Sequence, residues 1–339
     1  MFVFLRRIAG IVPTLFGVTI ATFVLTRILP GDPAVFFTSS PTADAATIQA
    51  VREKLGLHLP LWQQFLIYLR DLVHGDLGNS ITSGQPVVTD LLQRLPASAE
   101  LTLLAFALAV AIAVPLGIGA SLKPGSAIDH ACRLVSTAGV SLPTFVTGLL
   151  LIYIFYYLAG LAPEPMGRLD PFATVPPRIT GFLLVDALAA RDGSTFMAAL
   201  SQLILPAATM AIFAIAPLAR MTRAAMLGTL SSDFIRTARA NGLRWHTVVM
   251  SYALRNALLP IITTLGMVFS YMLSANVLVE RVFAWPGVGS YALDALINLD
   301  YAPVQGFMLV MAAIFVLVNL LVDLAYSVVD PRAGLSSHE

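Results

Sequence analysis

The chain has few charged residues for its length. Of its 339 residues only 12% are Asp, Glu, Lys or Arg, whereas 58% are hydrophobic, and the mean hydropathy is +0.83. A soluble protein of this size needs many more charges to cover its surface, because charged side chains are the ones that stay in water. The composition therefore excludes a soluble globular protein and predicts a chain that is solvated largely by lipid.

The sequence also lacks the residues that catalytic and metal sites require. Cys132 is the only cysteine, which excludes an intrachain disulfide and a cysteine metal cluster. The five histidines are scattered, without the His-Glu-x-x-His spacing of a zinc site. The two lysines, Lys54 and Lys123, do not lie in the Gly-x-x-x-x-Gly-Lys-Ser/Thr loop that cradles nucleotide phosphates. We therefore expect no catalytic residue, no metal site and no cofactor in this chain, and no ATP hydrolysis by it.

What the sequence has is a series of long apolar runs. A helix crosses a hydrocarbon core of about 30 Å with about 20 mostly apolar residues. Six runs meet this requirement: Ile8 to Ile28, Ala97 to Ala120, Leu134 to Ala159, Leu200 to Ala219, Leu258 to Val279 and Gln305 to Val328. They predict an all-α polytopic membrane protein with six transmembrane helices. Its divisions are residues 1–29 with the first helix, an extracytoplasmic helical segment at 30–96, the main transmembrane domain at 97–329 and a cytosolic tail at 330–339.

The first run follows Arg6 and Arg7, as the core of a secretory signal would. It is longer than a signal core, and the residues after it are Leu29-Pro30-Gly31-Asp32-Pro33 instead of a small-residue cleavage site. We therefore expect a retained first helix.

Positive charges are concentrated in alternate connections between the runs. Arg6 and Arg7 precede the first run, and Lys123 and Arg133 lie between the second and third. Six arginines lie between the fourth and fifth: Arg220, Arg223, Arg236, Arg239, Arg244 and Arg255. Positively charged connections face the cytosol, so these three segments and both termini are predicted to be cytoplasmic.

The longest connection, residues 30–96, has helical periodicity without a run long enough to insert. Apolar residues recur at spacings of three and four in Thr47 to Leu55 and again in Leu61 to Val73. We predict amphipathic helices at the outer surface. Two interpretations remain open: a solvated connector without a partner, and a cap that helps to receive a binding protein.

Residues 233–260 read DFIRTARANGLRWHTVVMSYALRNALLP and form a basic connection with a helix–glycine–helix layout. Ser231, Ser232 or Asp233 can cap a first helix, and Asp233 suits the positive end of its dipole. Gly242 supplies the positive φ that ends a helix, and a second helix is expected from about Leu243. The small Ala238 and Ala240 would allow close approach of a partner. The alternative interpretation is that the arginines serve only to hold the loop in the cytosol.

This layout resembles the coupling loop, known as the EAA loop, of ABC importer permeases. The sequence from Arg236 to Gly242 resembles that of the dipeptide/oligopeptide (and nickel) transport branch, although Arg236-Thr237-Ala238 stand where the general pattern has Glu-Ala-Ala. Further motifs of that branch appear in order along the chain: Leu29-Pro30-Gly31-Asp32-Pro33, Gly75-Asp76-Leu77-Gly78, Ala97-Ser98-Ala99-Glu100-Leu101, Phe283-Ala284-Trp285-Pro286-Gly287-Val288-Gly289 and Asp330-Pro331.

The resemblance implies a permease subunit of a bacterial inner membrane that imports short peptides. It implies as partners a second homologous permease, two ABC ATPase subunits that bind ATP and Mg, an extracytoplasmic solute-binding protein and membrane lipid, with no nucleic acid. The ATPase-coupling residues that it implies in the loop at 231–260 are Asp233, Arg236, Thr237, Ala238, Arg239, Ala240, Gly242, Leu259 and Pro260. A nickel complex, glutathione or an opine-like solute are alternative cargoes handled by similar permeases.

An ion-coupled secondary transporter is the alternative class. Such carriers usually place ionisable residues within their spans, and here Arg27, Glu100, Glu280 and Asp323 all lie near predicted helix ends. Polar residues in the runs are candidates to line a solute pathway, or else simply bond to backbone and neighbouring helices. These residues are Thr144, Thr209, Ser270, Ser274 and Asn276.

Overall fold

The computed structural model describes residues 2–28, 34, 45–54, 56–170 and 172–329. The first seven helices are α1 (Phe2–Ile28), α2 (Ala45–Lys54), α3 (Leu61–Val73), α4 (Val87–Leu122), α5 (Ala127–Ala138), α6 (Thr144–Leu151, extended by a π-helical stretch at Ile152–Leu158) and α7 (Leu183–Ala189). The remaining helices are α8 (Gly193–Leu230), α9 (Asp233–Ala240), α10 (Trp245–Thr247, followed by a π-helical stretch at Val248–Leu254), α11 (Arg255–Val282), α12 (Val288–Ile297) and α13 (Tyr301–Val329). Within these ranges an isolated bridge between Asn79 and Pro86 is the only β pairing, so the predicted all-α class is confirmed there.

Among the described residues, four helical segments are long and apolar enough to cross a membrane. They are Val87–Leu122, Gly193–Leu230, Trp245–Ser274 and Tyr301–Tyr326. Each overlaps one predicted run, namely the second, fourth, fifth and sixth. Shorter apolar helices lie at Val12–Ile28, Thr144–Leu158 and Val288–Ile297. A multi-pass membrane protein is thus supported by helix length and composition, and the number of six crossings stays a prediction.

The third predicted run, Leu134 to Ala159, is not one helix. Helix α5 ends at Ala138, and α6 begins at Thr144 after Pro143, whose φ of −57° and ψ of 142° are not helical. Proline lacks an N–H, and its ring disfavours helical backbone at the preceding residue, Leu142. The prediction of a continuous helix is therefore wrong at residues 139–143. Hydropathy merged the two helices because the residues between them are themselves mostly apolar.

The structure divides into two compact units. The first contains Met1–Ser98 and Pro286–Ile314, and the second contains Ala99–Trp285 and Phe315–Glu339. In the first unit, α3 packs its aromatic side chains on α1: Phe65 lies edge-on to Phe23 with ring centroids 5.2 Å apart, and Tyr68 stacks on the same ring at 5.9 Å. The guanidinium of Arg27 lies 4.7 Å from the centroid of that ring.

Buried carboxylates join residues 286–314 to the earlier part of the first unit. Asp300 accepts a hydrogen bond from Ser80 Oγ at 2.8 Å, and Asp90 accepts one from the Tyr291 hydroxyl at 2.9 Å. Both carboxylates are almost inaccessible to solvent, and buried charges need such partners because desolvation is costly. Helix α12, which was not predicted from the sequence, is thereby fixed in place.

The predicted amphipathic helices of residues 30–96 are confirmed as α2 and α3. Leu55, at the end of the first of them, lies outside the described residues. So do the Leu29-Pro30-Gly31-Asp32-Pro33 motif, the Asp330-Pro331 motif and the tail at 330–339.

Helix α8 is the centre of the second unit and packs against α5, α6, α7 and α11. Small side chains are buried along it, which lets neighbouring helices approach closely, as is usual in membrane bundles. These residues include Ala199, Ala207, Ala211, Ala214, Ala216 and Ala219. Helix α8 ends at Leu230, three residues before α9 begins.

Candidate functional site

Helix α9 begins without the side-chain cap that the sequence predicted. Ser232 occupies the N-cap position, but its Oγ donates to the carbonyl of Thr229 at 2.5 Å instead of accepting from the helix. Ser231 Oγ likewise donates backwards, to Gly228 O at 2.8 Å. Asp233 lies in the first turn, where its negative charge interacts favourably with the positive end of the helix dipole. Both hydroxyls are therefore used to close the end of α8.

The other end of α9 is closed by Gly242, as predicted. Gly242 has a φ of +74°, a conformation that residues with a Cβ rarely adopt. Its N–H donates to Arg239 O at 3.0 Å, and the N–H of Leu243 donates to Ala238 O at 3.3 Å. This pair of bonds is the Schellman motif, which satisfies the last carbonyls of a helix and reverses the chain.

One face of α9 packs against its own chain. Ile235 and Ala238 are 2% and 5% exposed and join a cluster of buried residues from α8 and from residues 248–261. The members of the cluster are Met226, Ile235, Ala238, Val248, Val249, Ala253, Ala257 and Ile261. Ala238 is thus covered by its own chain, so its small side chain lets α9 lie close to the cluster and does not offer a surface to a partner.

The opposite face of α9 is exposed. Arg236, Thr237, Arg239 and Ala240 all face solvent in the structure. The side chains of Arg236 and Asp233 are 79% and 93% exposed and lie 3.3 Å apart, a separation at which an ion pair in water contributes little. Four of the predicted coupling residues, together with Asp233, are therefore available for contact.

The structure adds apolar residues to this face that the sequence reading missed. Phe234, Leu243 and Trp245 are 43%, 38% and 47% exposed. The guanidinium of Arg239 lies 5.3 Å from the centroid of the Trp245 ring, within the range of a cation–π contact. We call residues 234, 236, 237, 239, 240, 243 and 245 the 234–245 surface. Phe234 precedes Ala238 by about one turn and so lies at the edge of the buried face, where helical spacing alone does not decide exposure.

After Gly242 the chain returns through α10 and a π-helical stretch into α11. The second helix begins at Trp245, two residues later than predicted, because Arg244 is in an extended conformation. Leu259 and Pro260 lie in the early turns of α11 and are half-buried. Along the chain they lie between Ala257 and Ile261 of the buried cluster, and they do not belong to the 234–245 surface.

The structure shows the surroundings of the predicted pathway residues. Thr209 is fully buried and donates to Leu205 O at 2.9 Å, and Asn276 is buried and donates to Thr102 Oγ1 at 3.3 Å. Ser274 is exposed and lies 3.5 Å from the carbonyl of Ser270. These contacts match the alternative reading, in which polar residues bond to backbone or to a neighbouring helix.

Thr144 is the exception, since it lines a cavity of about 400 Å³ in the second unit. The cavity is formed by the residues between α5 and α6 and by side chains of α8 and α11. Its lining consists of Val140, Ser141, Leu142, Pro143, Thr144, Phe145, Phe213, Tyr271 and Leu278. The rings of Phe213 and Tyr271 stack with centroids 4.7 Å apart. The lining is uncharged, and its aromatic part was missed by the sequence reading.

A helical chain with several membrane-length apolar segments, and an amphipathic helix hinged by glycine between two of them, defines a multi-pass membrane protein of the transport type. Comparison with known families identifies the kind of transport system. Residues 113–334 match the family described as binding-protein-dependent transport system inner membrane component, and residues 1–102 match the corresponding N-terminal family. The chain belongs to this family. It is therefore a multi-pass inner-membrane component of a transport system and not an enzyme.

Individual relatives are similar over nearly the whole chain. The probable D,D-dipeptide transport system permease protein DdpB of Escherichia coli K12 is 43% identical over 98% of both chains. The di/tripeptide transport system permease protein DppB of Pseudomonas aeruginosa is 41% identical over 96% of this chain and 97% of its own length. The dipeptide transport system permease protein DppB of Escherichia coli K12 is 38% identical over 97% of both.

Proposed function

We propose that this chain forms half of the translocation pathway of an ATP-driven importer of short peptides. The observation that supports this proposal is the similarity of the chain, at 38–43% identity over 96–98% of its length, to three permeases named for dipeptides or di/tripeptides. In this proposal the peptide is delivered by an extracytoplasmic solute-binding protein. The other half of the pathway is a second, homologous permease.

The energy comes from two ABC ATPase subunits that bind ATP and Mg, one of which docks on the 234–245 surface. This surface combines an exposed aromatic residue, Phe234, with the cations Arg236 and Arg239. An aromatic anchor surrounded by charge is typical of protein contact surfaces. The six-span topology, with both termini and residues 231–260 in the cytosol, places this surface where a soluble ATPase can reach it.

The inner face of α9 makes the segment suitable for transmitting movement. Because Ile235 and Ala238 are packed against residues of α8 and of 248–261, a displacement of α9 carries those helices with it. Packed cores shift between discrete arrangements and do not deform continuously. Closure of the ATPases would thus reorient the helices attached to the segment and alternate access to the pathway.

The cavity beside Thr144 is the part of this chain that we assign to the pathway. Its uncharged lining suits transient contact with a passing solute, since strong charged contacts would slow release. Short peptides fit such a site through their side chains. A nickel complex, glutathione or an opine-like solute are the alternative cargoes.

An ion-coupled carrier is the alternative class, and Glu100 is one of the four ionisable residues on which it could depend. Glu100 is 6% exposed and accepts from Arg168 at 2.5 Å and from the N–H of Leu184 at 2.8 Å. Its charge is therefore compensated by fixed partners, whereas a proton carrier must be able to change its charge. This pairing favours the ATP-driven class.

The test is purification and reconstitution of the complex through a tag on this chain. We expect two ATPase subunits and a second permease to co-purify, and uptake of labelled dipeptide into proteoliposomes to require ATP and the binding protein. A matched complex whose ATPases cannot hydrolyse ATP is the control. Ion-driven uptake by this chain alone would refute the proposal. Competition of the labelled dipeptide with unlabelled peptide, nickel chelate or glutathione identifies the cargo.

A further inference from the structure

Asp129, at the start of α5, is a buried carboxylate held by two arginines. Its side chain is fully inaccessible to solvent. It accepts from Arg223 Nε at 2.5 Å, from Arg133 Nη2 at 2.8 Å and from the backbone N–H of Gly125 at 2.9 Å. These bonds, the one from Arg223 first and that from Gly125 next, hold the pKa of Asp129 well below its usual range. The carboxylate therefore stays charged and bonded.

The two arginines are not equivalent. Arg133 lies one turn away on α5, and its side chain is 59% exposed. Arg223 lies on α8, and its side chain is 21% exposed. The bond to Arg133 is thus a local surface pair, which contributes little, whereas the bond to Arg223 joins two helices and is shielded from water.

Arg223 lies close to the segment proposed to receive the ATPases. It precedes the last residue of α8, Leu230, by seven positions, or about 10 Å along a helix. Helix α9 begins at Asp233 and packs on Met226 of α8 through the buried cluster. A displacement of α9 thus acts on the part of α8 that carries Arg223.

The rest of α5 is also fixed to α8. Arg220 donates to Ser136 O at 2.7 Å, and the sulfur of Cys132 lies 3.9 Å from Ala219 O. Beyond the end of α5, a Cβ added to Gly139 would lie 2.9 Å from the carbonyl oxygen of Ile212. Contact with α8 therefore continues from Asp129 to residue 139.

The chain beyond Gly139 leads directly into the cavity. Residues 140–145 supply six of its lining residues. Helix α5 thus has Asp129 at one end and the cavity wall at the other.

We propose that Asp129 is a positioning residue for transport, which joins α5 to α8 so that a displacement of α9 moves the cavity wall at residues 140–145. This proposal rests on the proposed function, because it requires ATPases that act on α9. Without the carboxylate, the charge of Arg223 has no partner at this site, and the start of α5, which is the end nearest α9, is held less tightly to α8. Coupling between distant sites needs an element that both sites bias, and α5 is that element here.

The experiment uses Asp129→Asn in the complete reconstituted complex. Asparagine is close to aspartate in shape and keeps an acceptor for Gly125 N–H, but it lacks the charge that holds Arg223. The measurement is the number of labelled dipeptides imported per ATP hydrolysed. We expect ATP hydrolysis to persist and the ratio to fall at least about fivefold, the lower end of typical coupling effects. Asp129→Glu, which keeps the charge, should recover part of the ratio.

Two variants are the matched controls. Asp192→Asn removes a carboxylate that caps the other end of α8 by accepting hydrogen bonds from Ser194 and Thr195. Within the described residues these bonds join it to no other helix. Arg133→Gln removes the exposed partner of Asp129. Both should keep the wild-type ratio. If the Asn variant does not assemble, Arg223→Lys keeps a cation but loses the planar donors, and it should lower the ratio in the same way.

A wild-type ratio in a folded Asp129→Asn complex would overturn the proposal. An equal fall of the ratio in Asp192→Asn would also overturn it. So would a proportional loss of ATP hydrolysis and uptake in Asp129→Asn, because that result indicates a purely structural role. Failure of the proposed function itself looks different, because the wild-type complex would then show no ATP-dependent peptide uptake at all.

Discussion

Replacing Gly242 with valine tests whether the geometry of the 231–260 segment matters for transport. Gly242 has a φ of +74°, and a Cβ added there would meet no atom within 4 Å. The cost of a side chain is therefore conformational and not steric. An L-residue in this conformation costs about 1–2 kcal/mol, and valine lies at the upper end because of its β-branch.

The chain can relieve this strain only by giving up the end of α9. Unwinding the last turn breaks the bonds from Gly242 N–H to Arg239 O and from Leu243 N–H to Ala238 O, each contributing about 1 kcal/mol. A penalty of about 2 kcal/mol shifts a local equilibrium roughly 30-fold. We therefore expect the 234–245 surface to be displaced in much of the population.

The assay is the number of labelled dipeptides imported per ATP hydrolysed in the reconstituted complex. We expect Gly242→Val to keep ATP hydrolysis but to lower the ratio at least about fivefold. Gly242→Asn should be milder, because asparagine adopts positive φ more readily than other residues with a side chain.

Gly228→Val is the matched control. Gly228 lies in α8, is exposed, has ordinary helical φ, and a Cβ there would also meet no atom within 4 Å. The same substitution should leave the ratio unchanged. An unchanged ratio in Gly242→Val, or an equal fall in both valine variants, would refute the reasoning.

Four further substitutions test other parts of the structure. Ile235→Ala removes a buried side chain from the cluster under α9 and should lower the melting temperature of the complex through a loss of about 2–5 kcal/mol. Phe234→Ala, at an exposed position, should change the free energy of unfolding by no more than about 0.5 kcal/mol but reduce the ATPase that co-purifies; equal effects of the two would contradict the assigned positions. Tyr271→Ala removes an aromatic wall of the cavity and should slow uptake of aromatic dipeptides relative to Gly-Gly by about 2–10-fold, from a contact of about 0.5–1.5 kcal/mol; an unchanged preference would exclude the cavity from the pathway. Glu100→Gln leaves Arg168 without its carboxylate and should destabilise the complex by about 3 kcal/mol, measured by thermal unfolding, whereas the double replacement with Arg168→Gln should recover most of the loss if the pair is structural.

Much of the architecture follows from local properties of the sequence. Hydropathy located the four membrane-length helices, because a run of about 20 apolar residues needs no long-range information to be recognised. The reversal at Gly242 was predictable for a similar reason, since positive φ is a property of a single residue. The motif order also placed the chain in its family.

Local patterns misjudged features that depend on neighbours. Ala238 was expected to meet a partner, but residues 248–261 cover it. The hydroxyls near Asp233 were expected to cap α9, but they bond backwards to α8. Four of the five polar pathway candidates do not line the cavity, and their place in the pathway stays a prediction, because a polar residue in a helix reads the same whether it faces a neighbour or a channel.

The sequence by itself determined that this protein is a helical membrane component with a glycine-hinged basic segment, because hydropathy and backbone preference act over a few neighbouring residues. Tertiary structure alone decided that Asp129 meets Arg223 across 94 positions, and that residues 286–314 join the unit formed by 1–98. It also decided that Phe213 and Tyr271 stack beside Thr144. These pairings depend on which helix faces pack together, and that choice is made by the fit of whole surfaces and not by any short stretch of chain.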